Sequence, residues 1–297
     1  MLEKTLLAFQ SVRVPEGLSV ELIVADNGSI DNTAEVIGNA KHPHIEIREV
    51  HESRPGKSRA QNVALAAARG KVLLFTDDDV MPAEDWIVNM SKPLLEGRCK
   101  AVTGKILLAE SLQRSWFTSM HEVWLAYIRE PGPCSPELIG ASMGIHRSVF
   151  DRISNFDEEL GPGASGFGEE TLLWRQMKEA GLRILPVMDT HVVHYPEESR
   201  LLRANWLAAA ARFGRTGAYV MHHWEHSREH FPAAQLLWIQ LKLFLRSLIR
   251  QTPALDAEGC PAWEMSYLVR IEALRGFVTE SCKPRNYERR GLKKISL

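Results

Sequence analysis

Short apolar runs alternate with amphipathic stretches along the first part of the chain. The runs at residues 20–25 and 101–108 are mostly apolar, which is typical of strands buried on both faces of a sheet. Between such runs, apolar residues recur at three- and four-residue spacing, as over residues 86–94, and this spacing predicts helices. The alternation favours an α/β fold with a mostly parallel, twisted sheet flanked by helices.

Beyond residue 200 the pattern predicts helices alone. We therefore predict an α/β domain over residues 1–198 and a helical C-terminal region over residues 199–297. Residues 235–250 are apolar on most sides, and their basic residues fall in one row. Such a helix suits the membrane interface. The alternative is a packed or oligomerising helix whose basic side chains reach to water.

An aromatic stripe runs through the predicted helix at residues 115–128, where Trp116, Trp124 and Tyr127 recur at helical spacing. Stripes of this kind are usually part of a core. The alternative is a platform that binds an acceptor substrate.

Composition limits the partners and the compartment. The chain has 297 residues and a formal net charge of −1, so nothing global indicates a nucleic-acid partner. Its cysteines are far apart and form no C-x-x-C pair, which suggests neither a zinc site nor a disulfide framework. We expect a reducing, cytoplasmic environment. The four cysteines are Cys99, Cys134, Cys260 and Cys282.

Three consecutive carboxylates, Asp77, Asp78 and Asp79, follow the apolar run of residues 72–75. Unpaired carboxylates are costly to bury, and open α/β sheets bind their ligands at the carboxyl ends of strands. These acids therefore indicate a site for a hard cation such as Mg²⁺ or Mn²⁺. A solvated acidic loop is the alternative.

Other reactive side chains also lie at the ends of predicted elements. They are Asp26 after the strand at residues 20–25, Glu169 and Glu170 after a glycine-rich loop, and His194 at the end of the last strand. A metal can neutralise a nucleotide diphosphate as a leaving group, and a carboxylate can act as general base for an acceptor hydroxyl. Arg54 and Lys57 would either neutralise phosphate or solvate their loop. The sequence contains neither a G-x-x-x-x-G-K-[ST] nor a G-x-G-x-x-G phosphate cradle.

Five segments, in order along residues 1–220, resemble the family 2 glycosyltransferases, enzymes of GT-A fold that use nucleotide-diphosphate sugars. The segments are VADNGSIDNT at residues 24–33, GKSRAQN at 56–62, FTDDD at 75–79, GASMGIHR at 140–147 and GEETLLWR at 168–175. Any one of them is a weak signal, whereas five in the family's order are specific.

The resemblance implies roles for the matching residues. Asp26 would contact the base or ribose, and Asp77 and Asp79 would be the outer members of the Asp-x-Asp motif. Glu170 matches the catalytic base, with Glu169 before it, and an acid there implies inversion at the anomeric carbon. The expected nucleotide-sugar-binding residues are Asp26, Arg54, Lys57, Asp77 and Asp78, and the expected ligands of Mn²⁺ or Mg²⁺ are Asp79, Asp77 and His194.

The chain departs from the family pattern in three places. Glu170 replaces the usual aspartate, and Leu172 stands where a second acid is common. The family also begins with a strand, whereas Met1 stands where the following helix is already under way. We therefore expect the first strand of the sheet to be missing here, unless the start is assigned too late.

The expected function is inverting, metal-dependent transfer from a nucleotide-diphosphate sugar, a UDP-sugar first, to a saccharide or lipid-linked acceptor. Surface polysaccharide or glycolipid synthesis at the inner face of the membrane would fit. The alternative is a non-catalytic GT-A-like binding module that has lost its first strand. A sugar nucleotidyltransferase would need a glycine-rich, arginine-containing loop near the start, which the sequence does not have.

Overall fold

The computed structural model describes residues 1–130 and 137–295, so Cys134 lies outside the described residues. The strands are β1 (Val20–Asp26), β2 (Ile45–His51), β3 (Val72–Phe75), β4 (Val80–Pro82), β5 (Ala101–Leu108), β6 (Met143–His146) and β7 (Ile184–His194). The helices are α1 (Leu2–Phe9), α2 (Thr33–Asn39), α3 (Lys57–Ala67), α4 (Trp86–Leu95), α5 (Ser119–Trp124), α6 (Glu169–Glu179), α7 (Arg203–His223), α8 (Pro232–Ile249) and α9 (Ala262–Glu280).

The strands form two sheets. β1 and β2 pair in parallel, and the larger sheet has the order β3-β6-β5-β7-β4. Within the larger sheet only β5 and β7 are parallel, while β6 and β4 run against their neighbours. The α/β class is confirmed, but the sheet is mixed rather than mostly parallel, because β6 and the short β4 after the acidic turn both run opposite to β3, β5 and β7.

Each of the two sheets has an edge strand whose outer side has no partner among the described residues. Among the described residues, no strand pairs with the second edge of β1 or with the outer edge of β3. As expected, α1 rather than a strand precedes β1 within the described part of the chain. Thr5 on α1 donates a hydrogen bond to the carbonyl of Asp78 over 2.8 Å. This bond ties α1 to the acidic turn, the segment of Asp77, Asp78 and Asp79 between β3 and β4.

The main core lies between α4 and the larger sheet. Trp86 and Met90 on α4 pack with Val102 and Ile106 of β5 and Val192 of β7, all of them buried. The helix α4 and the strand β5 therefore lie where the apolar spacing of the sequence predicts them. The aromatic stripe differs from its prediction as one helix over residues 115–128, because α5 spans only six residues.

The C-terminal helices pack mainly on one another, α7 against α9 and α9 against α8. Among the described residues, no helix combines the length and the apolar character needed to cross a bilayer. Nevertheless α8 exposes one continuous apolar face, formed by Leu237, Trp238, Leu241, Phe244, Leu245, Leu248 and Ile249.

The chain after α9 folds back onto the segment around Ser154 and Asp157. Tyr287 is only 1% exposed and donates its hydroxyl to Asp157 over 2.7 Å. The ammonium group of Lys294 reaches the same carboxylate over 2.5 Å, and Tyr219 of α7 donates to it over 2.7 Å. The basic composition of the chain after Lys283 predicts a frayed tail. The contacts with Asp157 show that this prediction is wrong for residues 286–294.

Candidate active site

Lys57, the first residue of α3, is the centre of the candidate site. Its Nζ lies 2.8 Å from Asp77 Oδ1, 3.3 Å from Glu170 Oε1 and 3.7 Å from Glu169 Oε1. Burial alone would lower the pKa of Lys57, but the three carboxylates hold it well above its usual value. One ammonium group therefore links the expected nucleotide site to the expected base.

The three adjacent aspartates of the acidic turn have different partners. Asp77 binds Lys57, and Asp79 lies 3.3 Å from His194 Nε2 and 3.9 Å from a guanidinium nitrogen of Arg200. Burial raises the pKa of Asp78, and the neighbouring charge of Asp79 adds to that effect. Burial also opposes ionisation of Asp79, but the hydrogen bond with His194 and the charge of that ring bring its pKa below the usual value.

The predicted metal ligands are therefore only partly brought together. Asp79 and His194 are adjacent, whereas the carboxylate of Asp77 is paired with Lys57. The described residues include no group of three or more histidine, cysteine, aspartate or glutamate side chains placed to hold a metal ion.

The geometry of His194 nevertheless fits a cation. Its Nδ1 donates to the carbonyl of Leu125 over 2.7 Å, which leaves Nε2 facing Asp79 Oδ2. The Asp79 oxygen and an unprotonated Nε2 would both be hydrogen-bond acceptors, so a proton or a metal ion has to lie between them. Proteins commonly orient a metal-binding histidine by a hydrogen bond from its other ring nitrogen to a backbone carbonyl. Asp79 and His194 would thus supply two ligands, with diphosphate oxygens and water completing the shell.

Glu169 and Glu170 begin α6, directly after the glycine-rich loop. Gly168 precedes them with φ of 95°, a backbone conformation that favours glycine, and a Cβ at this position would also overlap Thr216 on α7. Glu169 is 3% exposed; burial, helped by the charge of Glu170, raises its pKa to about 8. Glu169 and Glu170 share the ammonium group of Lys57, whose charge partly offsets the effect of burial on Glu169.

Asp26 lies buried at the end of β1. Its carboxylate accepts the backbone N–H of Ser29 over 3.0 Å and faces His51 Nδ1 at 3.0 Å. The bonds from Ser29 lower the pKa of Asp26, and the contact with His51 helps to outweigh the opposing effect of burial. Asp26 is therefore an ionised acceptor, as contact with a ribose or a base would require.

Arg54 is held by a different carboxylate. Its guanidinium donates to both oxygens of Glu52, over 3.0 and 2.7 Å, and these bonds lower the pKa of Glu52 to about 2. The side chain of Asn27 ties the same loop together, because it bonds the carbonyls of Glu52 and Arg54 and the N–H of Gly56. A role for Arg54 in phosphate binding stays a prediction.

Several residues of the site carry no signal that a single sequence would reveal. His51, Arg200 and the Leu125 carbonyl act through contacts between distant parts of the chain. Gly140 is placed so that a Cβ would collide with the Glu170 carboxylate. Only its position in the matched segment at residues 140–147 could have indicated it.

Known proteins resemble this chain in fold and in parts of the sequence. A mannosyltransferase from Pyrobaculum calidifontis, solved with GDP-Man and Mn²⁺, superposes with a TM-score of 0.56 over 95% of this chain and 83% of its own, at 18% identity. This likeness supports the GT-A fold. GlyG, a glycosyltransferase of Streptococcus pneumoniae, is 26% identical over 87 residues, which are 29% of either chain. An uncharacterized glycosyltransferase of Rickettsia felis is 25% identical over 172 residues, 56% of this chain and 27% of that protein.

The chain thus spans less than a third of the length of these curated relatives. The family model described as glycosyl transferase family 2 matches residues 1–154, just over half of the 297 residues. It includes β1, the acidic turn and the Gly140 turn. On that match, the chain belongs to glycosyl transferase family 2.

Proposed function

We propose that the chain transfers a sugar from a nucleotide-diphosphate sugar, with a UDP-sugar as the expected donor, to a hydroxyl of an acceptor with inversion. The observation that carries the proposal is the contact of Lys57 with both Asp77 and Glu170. This contact supports the proposal, because it joins a residue of the expected diphosphate site to the expected base.

In this mechanism Glu170 accepts the proton of the acceptor hydroxyl while that oxygen attacks the anomeric carbon. The bond from that carbon to the diphosphate oxygen breaks on the opposite face, so a single displacement inverts the configuration. Glu169 keeps its proton at neutral pH. Lys57 stabilises the ionised carboxylate before transfer.

Asp79 and His194 would hold a divalent cation, Mn²⁺ or Mg²⁺, and Asp77 would join them if it exchanged Lys57 for the metal. When bound, the metal would neutralise the charge that develops on the leaving diphosphate. Asp26 and Asp78 would then contact the nucleoside, and Arg54 the phosphates.

A panel of UDP-, GDP- and dTDP-sugars with Mn²⁺ tests the activity through release of the nucleoside diphosphate. We expect Glu170→Gln and Asp79→Asn to lower turnover at least 100-fold, since each removes a group that acts on the reacting atoms. Glu35→Gln, at an exposed position of α2, is the matched control. Full activity in both site variants would refute the assigned roles.

The second candidate, a non-catalytic binding module, is favoured by the unpaired edges of β1 and β3. Calorimetry with UDP and Mn²⁺, combined with the donor panel, separates the two. Binding without turnover of any donor would favour the module, whereas turnover would exclude it.

We also propose that α8 binds the surface of an anionic membrane, where a lipid-linked acceptor for polysaccharide or glycolipid synthesis would be available. The seven large apolar side chains of its open face are between 46 and 84% exposed. The helix has no acidic residue, while Lys242 on α8 and Arg250 directly after it are exposed. Apolar area together with basic charge is the combination that such membranes bind.

Sedimentation with phosphatidylglycerol-containing vesicles tests the membrane proposal. We expect Leu241→Asp combined with Leu245→Asp to abolish binding, and Ser247→Asp, outside the apolar face, to change it little. A dimer that forms in solution and is broken by the double variant, without vesicle binding by the wild type, would show instead that the face binds a second copy.

A further inference from the structure

Three aromatic side chains from separate elements form a continuous row beside the candidate site. Trp124 ends α5, Phe213 lies on α7, and Phe167 belongs to the glycine-rich loop. The rings of Trp124 and Phe213 stack with centroids 5.5 Å apart, and those of Phe213 and Phe167 are 6.0 Å apart. Phe213 is 41% exposed, so the middle of the row faces solvent.

Both ends of this row adjoin residues assigned to the reaction. Trp124 precedes Leu125, whose carbonyl fixes His194. Phe167 lies two and three residues before Glu169 and Glu170, and its carbonyl is anchored by the hydroxyl of Thr216. The row therefore connects the end of α5, next to the carbonyl that holds His194, with the loop that precedes Glu169 and Glu170.

A cationic side chain lies beside the loop that carries Phe167. The stem of Arg212 packs against Gly166, where a Cβ would meet its side-chain carbons. Arg212 is exposed, and none of the ion pairs formed by the described residues includes it. Its guanidinium can therefore donate to a ligand that lies at this end of the row.

We propose that Trp124, Phe167 and Phe213 form the subsite for a saccharide acceptor, with a pyranose ring lying over Phe213 and Arg212 donating to its hydroxyls. The C–H face of a pyranose is apolar while its edge is polar, which matches an aromatic surface beside a polar group. A sugar in this place would present a hydroxyl toward Glu170. The inference rests on the proposed glycosyl transfer, and it assigns the acceptor side of that reaction.

The sequence predicted the aromatic stripe at residues 115–128 to be either core or acceptor platform, and the structure shows elements of both. Trp116 and Trp124 pack against Trp206 of α7, which is buried and belongs to the core. Phe213 on α7, which the stripe did not include, supplies the exposed ring.

Saturation-transfer difference NMR on the full chain with UDP and Mg²⁺, which is diamagnetic, tests the subsite. The probes are the methyl glycosides of glucose, galactose and mannose, and cellobiose. We expect the ring protons of one sugar face to receive saturation in the wild type. Phe213→Ala should weaken that signal about tenfold, since stacking on the ring is lost, and Phe213→Trp should restore it. Phe244→Ala, an exposed aromatic residue on α8, is the control and should leave the signal unchanged.

The KM for the acceptor provides a second test of the subsite. Phe213→Ala should raise the acceptor KM about tenfold, whereas the control Phe244→Ala should leave the acceptor KM unchanged. Transfer with an unchanged acceptor KM in Phe213→Ala, or absence of saturation transfer from every probe in the wild type, would overturn the subsite. Ring-dependent saccharide binding without turnover of any donor would support the subsite and refute the proposed transfer instead.

Discussion

Replacing Gly140 by alanine would test the position of the proposed base without touching it. Gly140 lies in the short 3-10 turn before β6, and its φ is one that alanine adopts without strain. An added Cβ would lie 3.0 Å from Lys57 Nζ and 3.3 Å from Glu170 Cδ, and it would overlap Glu170 Oε1. The Glu170 carboxylate would have to move away by about 1 Å to regain an ordinary contact.

This movement should cost little stability and much activity. The displaced atoms are the far end of a flexible side chain, which can turn aside, whereas a misplacement of about 1 Å at a reacting group can cost about 100-fold in rate. We therefore expect kcat to fall about 100-fold while the urea midpoint of unfolding stays close to that of the wild type.

Donor turnover and urea unfolding, measured on the same preparations, check this expectation. Gly217→Ala on α7 is the matched control, because its Cβ would meet open space, and it should retain full activity. Wild-type kcat in a folded Gly140→Ala protein would refute the argument that the position of Glu170 limits the reaction. An equal loss in Gly217→Ala would show that the effect is not local.

Three further perturbations follow from the buried charges. Lys57→Met should lower the free energy of unfolding by about 2–3 kcal/mol, measured in urea, because breaking a buried pair leaves carboxylates unpaired; Lys57→Arg should lose less, and equal losses would contradict this. The pKa of Glu169 is raised by burial from 4.5 to about 8, so the wild type binds more protons when folded and should lose stability as the pH rises through this range. Glu169→Gln should remove that dependence and be more stable than the wild type at pH 8.5, on the order of a few kcal/mol, but not at pH 5; parallel stability curves would refute the shift. Tyr219→Phe and Tyr287→Phe should each cost about 1–3 kcal/mol by removing a donor to buried Asp157, with the double variant losing more than the sum, and strict additivity would argue against a shared carboxylate.

The sequence was informative where the signal is local. Apolar spacing located β5 and α4, and the matched segments selected Lys57, Asp77 and Glu170, which the structure brings into contact. The mixed direction of the larger sheet was missed, because the apolar runs look the same whether the strand runs forwards or backwards.

Contacts between distant segments were also out of reach. Asp77 pairs with Lys57 instead of joining Asp79 and His194. This choice of partner depends on the directions in which three adjacent side chains leave one turn, which the sequence does not reveal. The division at residue 198 stays a prediction, and residues 286–294 were misjudged because their basic composition resembles a solvated tail. Their partner, Asp157, lies more than 120 residues earlier in the chain.

The return of this segment to Asp157 also bears on how the protein folds. The bonds of Tyr287 and Lys294 to Asp157 span 130 and 137 residues, among the longest loops that the fold must close. Such closures are entropically costly and tend to come late in folding. Asp157 begins the loop that leads to Glu169 and Glu170, so the base would be fixed only after the sheet has formed. Proteolytic trimming near residue 285 would then abolish activity in a protein whose secondary structure looks intact.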